Sequence, residues 1–192
     1  MPGSRRPAEA GEARAGEARE ARIPGDLAAI RLLALDVDGV LTDGRVIYSG
    51  SRETQEFHVA DGLGLKLLMQ SSVKVAWITG RGCAATRRRA EELGVEELHV
   101  AAGPKDRVLA EIQERLGIPP EHTAAMGDDL PDLAMRARAA FFAAPPNARA
   151  EVRERADLVT NTPGGAGAVR EFAEYMLRAQ GRWTAILDAL GG

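Results

Sequence analysis

Cysteine is nearly missing: Cys83 alone occurs in 192 residues. That excludes an intrachain disulfide framework and a cysteine-based structural zinc site, and it suits a reducing cytoplasm. Long apolar runs are missing too, since none approaches the roughly 20 residues that a membrane-spanning helix needs. There is no excess of positive charge. The 25 Lys plus Arg stand against 28 Asp plus Glu for a net charge of -3, which removes the electrostatic drive toward wholesale binding of nucleic acid or anionic membrane. Residues 1–22 contain no Val, Ile, Leu or aromatic residue. Their Ala, Glu, Gly and Arg cannot bury a face, and the interleaved acids do not fit a secretory or transit signal. They read as a disordered tail. The chain as a whole is 45% hydrophobic, enough for one sizeable core and short of two, so the expectation is a single soluble cytoplasmic domain over residues 23–182, with 183–192 as a C-terminal tail.

From Ile30 onward, short apolar runs alternate with segments of helical period, the pattern of parallel strands joined by crossover helices. Strands are expected at 31–37, 73–78, 97–100, 123–126, 140–143 and 157–160. Helices are expected at about 63–70, 84–93, 104–116, 131–137, 148–155 and 168–179. The fold class is therefore α/β, an open doubly wound parallel sheet of Rossmann-like type. Residues 45–59 break the rhythm: two short strand patterns flank Ser49-Gly50-Ser51 and read as a β-hairpin inserted after the first strand.

In such a sheet, ligands bind beyond the carboxyl ends of the strands. The first strand exits into Asp36-Val37-Asp38-Gly39, the second into Thr79-Gly80-Arg81, and the fourth into Gly127-Asp128-Asp129-Leu130-Pro131-Asp132. Asp36 and Asp38 are two apart, so an extended strand turns both toward one side. With Asp128 arriving from another strand, carboxylates, carbonyls and water make an oxygen-only site of the kind that Mg²⁺ takes. The same aspartates could instead cap helices or stabilise turns. Lys105 follows Pro104 at the expected start of a helix, where the dipole disfavours a cation, so an anion is expected nearby unless the ammonium is simply solvated. Gly164-Gly165-Ala166-Gly167 leads into the last helix with Arg170 one turn on, which suits either an anion site or a plain turn. Trp77 is expected in the core, and Cys83, His99 and His122 in packing or surface roles. Trp183 is open between packing on a neighbour and covering the site.

In order and at matching strand ends, these motifs resemble those of the haloacid dehalogenase superfamily of phosphotransferases. The resemblance implies Asp36 as nucleophile, Asp38 as general acid/base, Thr79 and Lys105 as phosphoryl ligands, and Mg²⁺ held by Asp36, the carbonyl of Asp38, and Asp128. Only 22 residues separate Asp38 from Asp61 and 25 separate Thr79 from Lys105, so no cap domain fits, and the hairpin at 45–59 is the candidate flap or oligomer contact; a plain surface hairpin is the alternative.

Within that superfamily the chain is similar to the 3-deoxy-D-manno-octulosonate 8-phosphate (Kdo 8-phosphate) phosphatases over about residues 30–182. The carriers are Leu35 to Gly44, Phe57-His58-Val59-Ala60-Asp61-Gly62-Leu63-Gly64, Ile78 to Arg81, Gly127 to Asp132, and Gly164 to Glu171 with Ala179-Gln180-Gly181. The similarity implies a sugar-acid phosphate as substrate, with Gly80, Arg81, Asp61, Gly62, His58 and Arg170 contacting the sugar. It also implies a cytoplasmic homotetramer whose flaps reach adjacent sites, serving lipopolysaccharide precursor synthesis. Ala60 departs from the family, which commonly has a basic residue there. That leaves phosphatases of nine-carbon sialic-type sugar acids as an alternative, beside a non-catalytic tetramerising module.

Overall fold

The computed structural model describes residues 25–191; the expected tail at 1–22 lies outside them. A 3₁₀ turn (Gly25–Ala29) leads into β1 (Leu32–Leu35), then the hairpin β2 (Ile47–Ser49) and β3 (Arg52–Thr54), α1 (Val59–Gln70), β4 (Lys74–Ile78), α2 (Ala84–Leu93) and β5 (Glu97–His99). The chain continues through α3 (Lys105–Leu116), β6 (Thr123–Met126), α4 (Leu133–Arg136), β7 (Phe141–Ala144), α5 (Ala150–Arg153), β8 (Leu158–Val159), α6 (Ala168–Ala179) and α7 (Trp183–Ala189). Six strands form one sheet in the order β5-β4-β1-β6-β7-β8, every neighbouring pair parallel. The winding reverses between β1 and β6, which makes their carboxyl ends the switch point at which such folds bind ligands.

Alternation along the strands divides the core. Leu33 and Leu35 of β1 and Val75 and Trp77 of β4 face the layer built by α1, α2 and α6. Leu32, Ala34, Ala76 and Ile78 face α3, α4 and α5. Successive residues of a strand point to opposite faces, so covering both faces with helices turns these strands into continuous apolar runs. Trp77 is fully buried, with Phe57 stacked on it at 6.1 Å between ring centroids. Among the described residues, no helix is long and apolar enough to cross a membrane.

Strand β1 stops at Leu35 rather than at residue 37, so Asp36 and Asp38 lie beyond it and their carboxylates do not share one side; two further segments differ from expectation. The second hairpin strand ends at Thr54, and α1 begins at Val59 rather than near Leu63. Residues 183–189 are helical: Trp183 and Ile186 pack on the core, and the Trp183 ring lies 4.8 Å from the Arg178 guanidinium and 5.6 Å from that of Arg170. Between β1 and α1 stands only the hairpin, and between β4 and α3 only α2 and β5, so the described residues contain no cap domain.

Candidate active site

Asp36, Thr79 and Asp128 emerge from β1, β4 and β6, three neighbours in the sheet. Close approach of their loops depends on glycine. Gly39 has φ +95°, and a Cβ there would stand 2.1 Å from Asp128 Oδ2. A Cβ on Gly164 would stand 1.8 Å from the Gly39 carbonyl oxygen, so the glycine loop before α6 is packed against the first-strand motif.

Lys105 Nζ donates to Asp36 Oδ1 at 2.7 Å and to Asp132 Oδ1 at 2.6 Å, with all three residues less than a tenth exposed. The anion expected beside this helix start is thus a pair of carboxylates. Burial pulls the lysine pKa down, but the attraction of Asp36 and Asp132 outweighs it and the net shift is upward. Asp132 was not among the candidate site residues. Its second oxygen accepts from the backbone N–H of Asp128 at 2.9 Å and of Asp129 at 3.1 Å, which fixes the loop that carries Asp128. The four-residue spacing between Asp128 and Asp132 was the available signal. Asp129 takes the plainer role of an aspartate at this turn, accepting from the Leu130 N–H at 2.8 Å.

The carboxylates of Asp36, Asp128 and Asp132 place oxygens within 4.8 Å of one another. Burial first, then repulsion from Asp132, lifts the Asp36 pKa to about 7 against the opposing pull of Lys105. Burial and the charges of Asp36 and Asp132 lift Asp128 to about 8. Asp128 Oδ1 is buried with no hydrogen-bond partner. Because Asp132 is satisfied by Lys105 and two backbone N–H groups, Asp36 and Asp128 are the pair short of positive charge, and a hard divalent cation fits that deficit.

The Asp38 carboxylate is not part of this cluster. Its Oδ1 accepts from Gln55 Nε2 and its Oδ2 from the Thr79 hydroxyl, each at 2.8 Å. Thr79 Oγ1 in turn accepts from the Arg81 N–H at 3.0 Å.

The residues expected at the sugar divide. Gly80 and Arg81 line a cavity of about 760 Å³ beneath the hairpin, together with Arg52, Glu53, Thr54 and Cys83. The Arg81 guanidinium reaches Glu53 on the hairpin at 3.0 Å. Asp61 is 1% exposed, and its Oδ1 accepts from the Arg170 N–H at 2.7 Å. It therefore fills the N-terminus of α6, the expected anion site, from within the protein. Burial raises its pKa, although those backbone hydrogen bonds act in the other direction. Gly62 is buried and lies against the Arg89 guanidinium and Leu93 of α2. His58 is exposed at the start of α1. Arg170 is committed to Glu174 at 2.6 Å and to the face of Trp183.

Residues 101–172 match the family of haloacid dehalogenase-like hydrolases. The chain is 37% identical over 164 residues to the 3-deoxy-D-manno-octulosonate 8-phosphate phosphatase of Haemophilus influenzae, covering 85% of this chain and 91% of that protein. The chain belongs to this phosphatase family. The family's member from Escherichia coli K12 is 41% identical over 155 residues, 80% of this chain and 82% of the relative. The crystal structure of the Moraxella catarrhalis phosphatase, in complex with magnesium ion, phosphate ion and Kdo, superimposes with a TM-score of 0.86 at 41% identity, covering 89% of this chain and 99% of that one. Membership makes the chain a phosphoric monoester hydrolase and accounts for charged groups gathered at adjacent strand exits.

Proposed function

We propose that this chain hydrolyses Kdo 8-phosphate to Kdo and inorganic phosphate in the cytoplasm, as a step of lipopolysaccharide precursor synthesis. The observation that carries the chemistry is the buried ion pair of Lys105 with Asp36 beside the partnerless Asp128 oxygen. Asp36 attacks phosphorus as the bond to the sugar oxygen breaks, leaving an aspartyl phosphate, and Asp38 gives its proton to the departing alkoxide. Water then attacks the aspartyl phosphate while Asp38 takes a proton from it, releasing phosphate and restoring Asp36. Lys105 offsets the charge that otherwise keeps a carboxylate from a phosphate dianion, and Thr79 orients the phosphoryl group. Asp36, Asp128 and the Asp38 carbonyl would hold Mg²⁺. When bound, it supplies charge neutralisation at the phosphoryl oxygens.

Arg81 and Gly80, at the cavity under the hairpin, are the sugar-side groups best placed to meet the substrate. The exposed apolar residues Val46, Ile47, Tyr48, Val59 and Leu63 run from the hairpin onto the start of α1, which supports a homotetramer whose flaps meet neighbouring subunits. Ala60 removes a basic partner for the sugar-acid carboxylate, and a nine-carbon sialic-type sugar acid 9-phosphate is the second substrate reading. Phosphate release from both sugar-acid phosphates, with Mg²⁺ and with chelator, separates the readings. The expected result is Mg²⁺-dependent release with preference for Kdo 8-phosphate; preference for the nine-carbon ester would replace the substrate, and release unaffected by chelator would overturn the metal assignment.

A further inference from the structure

The site contains a polar network that the reaction as described does not use. Gln55 directly follows β3 at the stem of the hairpin, where Phe57 stacks on Trp77 and anchors the chain to the core. Its Nε2 donates to Asp38 Oδ1 at 2.8 Å. Its Oε1 accepts from the Cys83 thiol and the Thr86 hydroxyl, both buried at the start of α2. The NH₂ end of the amide thus faces Asp38 and its carbonyl end faces α2. The carbonyl needs donors, and Thr86 and Cys83 supply them. The second Asp38 oxygen is held by Thr79, whose own oxygen is occupied by the Arg81 N–H, so the hydroxyl proton is aimed at Asp38.

We propose that Gln55 is a positioning residue for Asp38, and that Cys83 and Thr86 fix the amide that does the positioning. Gln55 neither gives nor takes a proton; it holds the group that passes one to the leaving alkoxide. The proposal rests on the phosphatase reading, and it assigns the hairpin stem a part in the chemistry of its own subunit. A misplacement of about 1 Å in a reacting group can cost on the order of 100-fold in rate, so small side chains at some distance from phosphorus can govern turnover.

The test compares wild type with Gln55→Met, which keeps the length of the side chain without its polar atoms. Gln55→Glu, which keeps the acceptor for Thr86 and Cys83 but offers Asp38 no donor in its ionised form, serves as a second variant should the first fold poorly. Each is assayed on Kdo 8-phosphate and on p-nitrophenyl phosphate, whose leaving group departs without a proton. The expected kcat on the sugar phosphate falls roughly 10- to 100-fold with KM within about twofold, while kcat/KM on p-nitrophenyl phosphate falls less than about threefold. Thr86→Val alone should lower kcat on the sugar phosphate, and it should add nothing in the Gln55→Met background. Crystals of Gln55→Met should show the Asp38 carboxylate turned from its wild-type orientation. Equal losses on both substrates with a raised KM, additive effects of the two substitutions, or an unmoved Asp38 would overturn the proposal. A wild type that hydrolyses neither ester would overturn the phosphatase reading instead, and the orientation of Asp38 in the variant crystals would still decide the role of Gln55.

Discussion

Asp36, Lys105 and Asp132, on the floor of the site, are 6%, 8% and 1% exposed, whereas β2 and β3 of the hairpin above them contain no buried residue. On the floor, like charges are held together because the strands that deliver them are locked between two apolar layers, and Lys105 is the counter-charge that makes the arrangement tolerable. In the hairpin, attachment is polar: Arg81 to Glu53 at the rim and Gln55 to Asp38 at the stem. A crowded charge cluster needs a rigid frame, and a hairpin acting as the proposed flap needs a looser one. Substitutions on the floor should therefore act on chemistry and stability together, while those in the flap should act on substrate choice with little effect on stability.

The largest effect is expected for Asp36→Asn, which removes the proposed nucleophile and one of the proposed metal ligands. Turnover should fall by roughly 10⁴-fold or more. Because the substitution also removes one of the crowded carboxylates, thermal unfolding of the metal-free protein at pH 8 should occur at the same or a higher temperature than in wild type. Substantial phosphate release by this variant, with Mg²⁺ present, would break the covalent mechanism; a clear drop in melting temperature would break the view of the floor as a site of unrelieved repulsion.

Next comes Lys105→Met. Removing one partner of a buried ion pair leaves uncompensated charge, at a typical cost of about 3–5 kcal/mol, and here two carboxylates lose the same partner. Urea unfolding should show a loss of that order at pH 8 and a smaller one at pH 5, where the carboxyl groups can accept protons. An equal loss at both values would mean that the ammonium acts through packing alone.

Metal and pH should act on the same cluster in opposite directions. The pKa of Asp36 is raised to about 7 and that of Asp128 to about 8, against about 3.9 for an unfolded aspartate. A raised carboxyl pKa contributes stability that is fully present below the unfolded value and is lost as pH rises through the folded one. The metal-free protein should accordingly lose stability between about pH 4 and pH 9. Mg²⁺ replaces the protons, so the gain in melting temperature on adding Mg²⁺ should grow across that window. A gain that is flat or shrinks with pH would exclude Asp36 and Asp128 as the pair that takes the cation.

The floor was also the more legible region. Strand β6 and helices α2 and α6 occupy the residues expected from apolar runs and helical period, the three exit segments at 36–39, 79–81 and 127–132 follow β1, β4 and β6, and Lys105 opens α3. Asp132 was harder to read, because its part is to hold Lys105 and a turn, and its four-residue spacing from Asp128 is a faint mark inside an Asp-rich loop. The flap region was misread where it joins α1. Gly62 and Gly64 dilute the helical signal there, yet both sit where a Cβ would crowd Arg89 or Arg170, so tertiary packing requires the residues that local propensity disfavours. Asp61 was placed at the sugar by the family resemblance; only the fold shows that the first turn of α6 abuts it. In α7, Trp183, Ile186, Leu187 and Leu190 do carry helical spacing, but in a stretch this short such spacing is weak evidence until the core surface that receives it is known.

The smallest effect on stability, and the sharpest test of the comparison, belongs to the hairpin tip. Residues 48–53 contribute no buried side chain; Tyr48 is 71% exposed, and the Arg81–Glu53 pair is exposed enough to contribute at most about 1 kcal/mol. Replacing this segment with a short turn while keeping Thr54 and Gln55 should leave the melting temperature of the subunit nearly unchanged. The kcat/KM for Kdo 8-phosphate should fall by roughly tenfold or more if the hairpin acts as the proposed flap, which contacts the sugar and excludes water. Activity on p-nitrophenyl phosphate should persist, since Asp36, Asp38, Lys105 and the metal ligands remain in place. Equal losses on both esters would mean that the tip supports the floor and that the two regions are not separable. A shortened variant that stays tetrameric would move the intersubunit contact from the hairpin to the exposed apolar start of α1, where Val59 and Leu63 stand one helical turn apart.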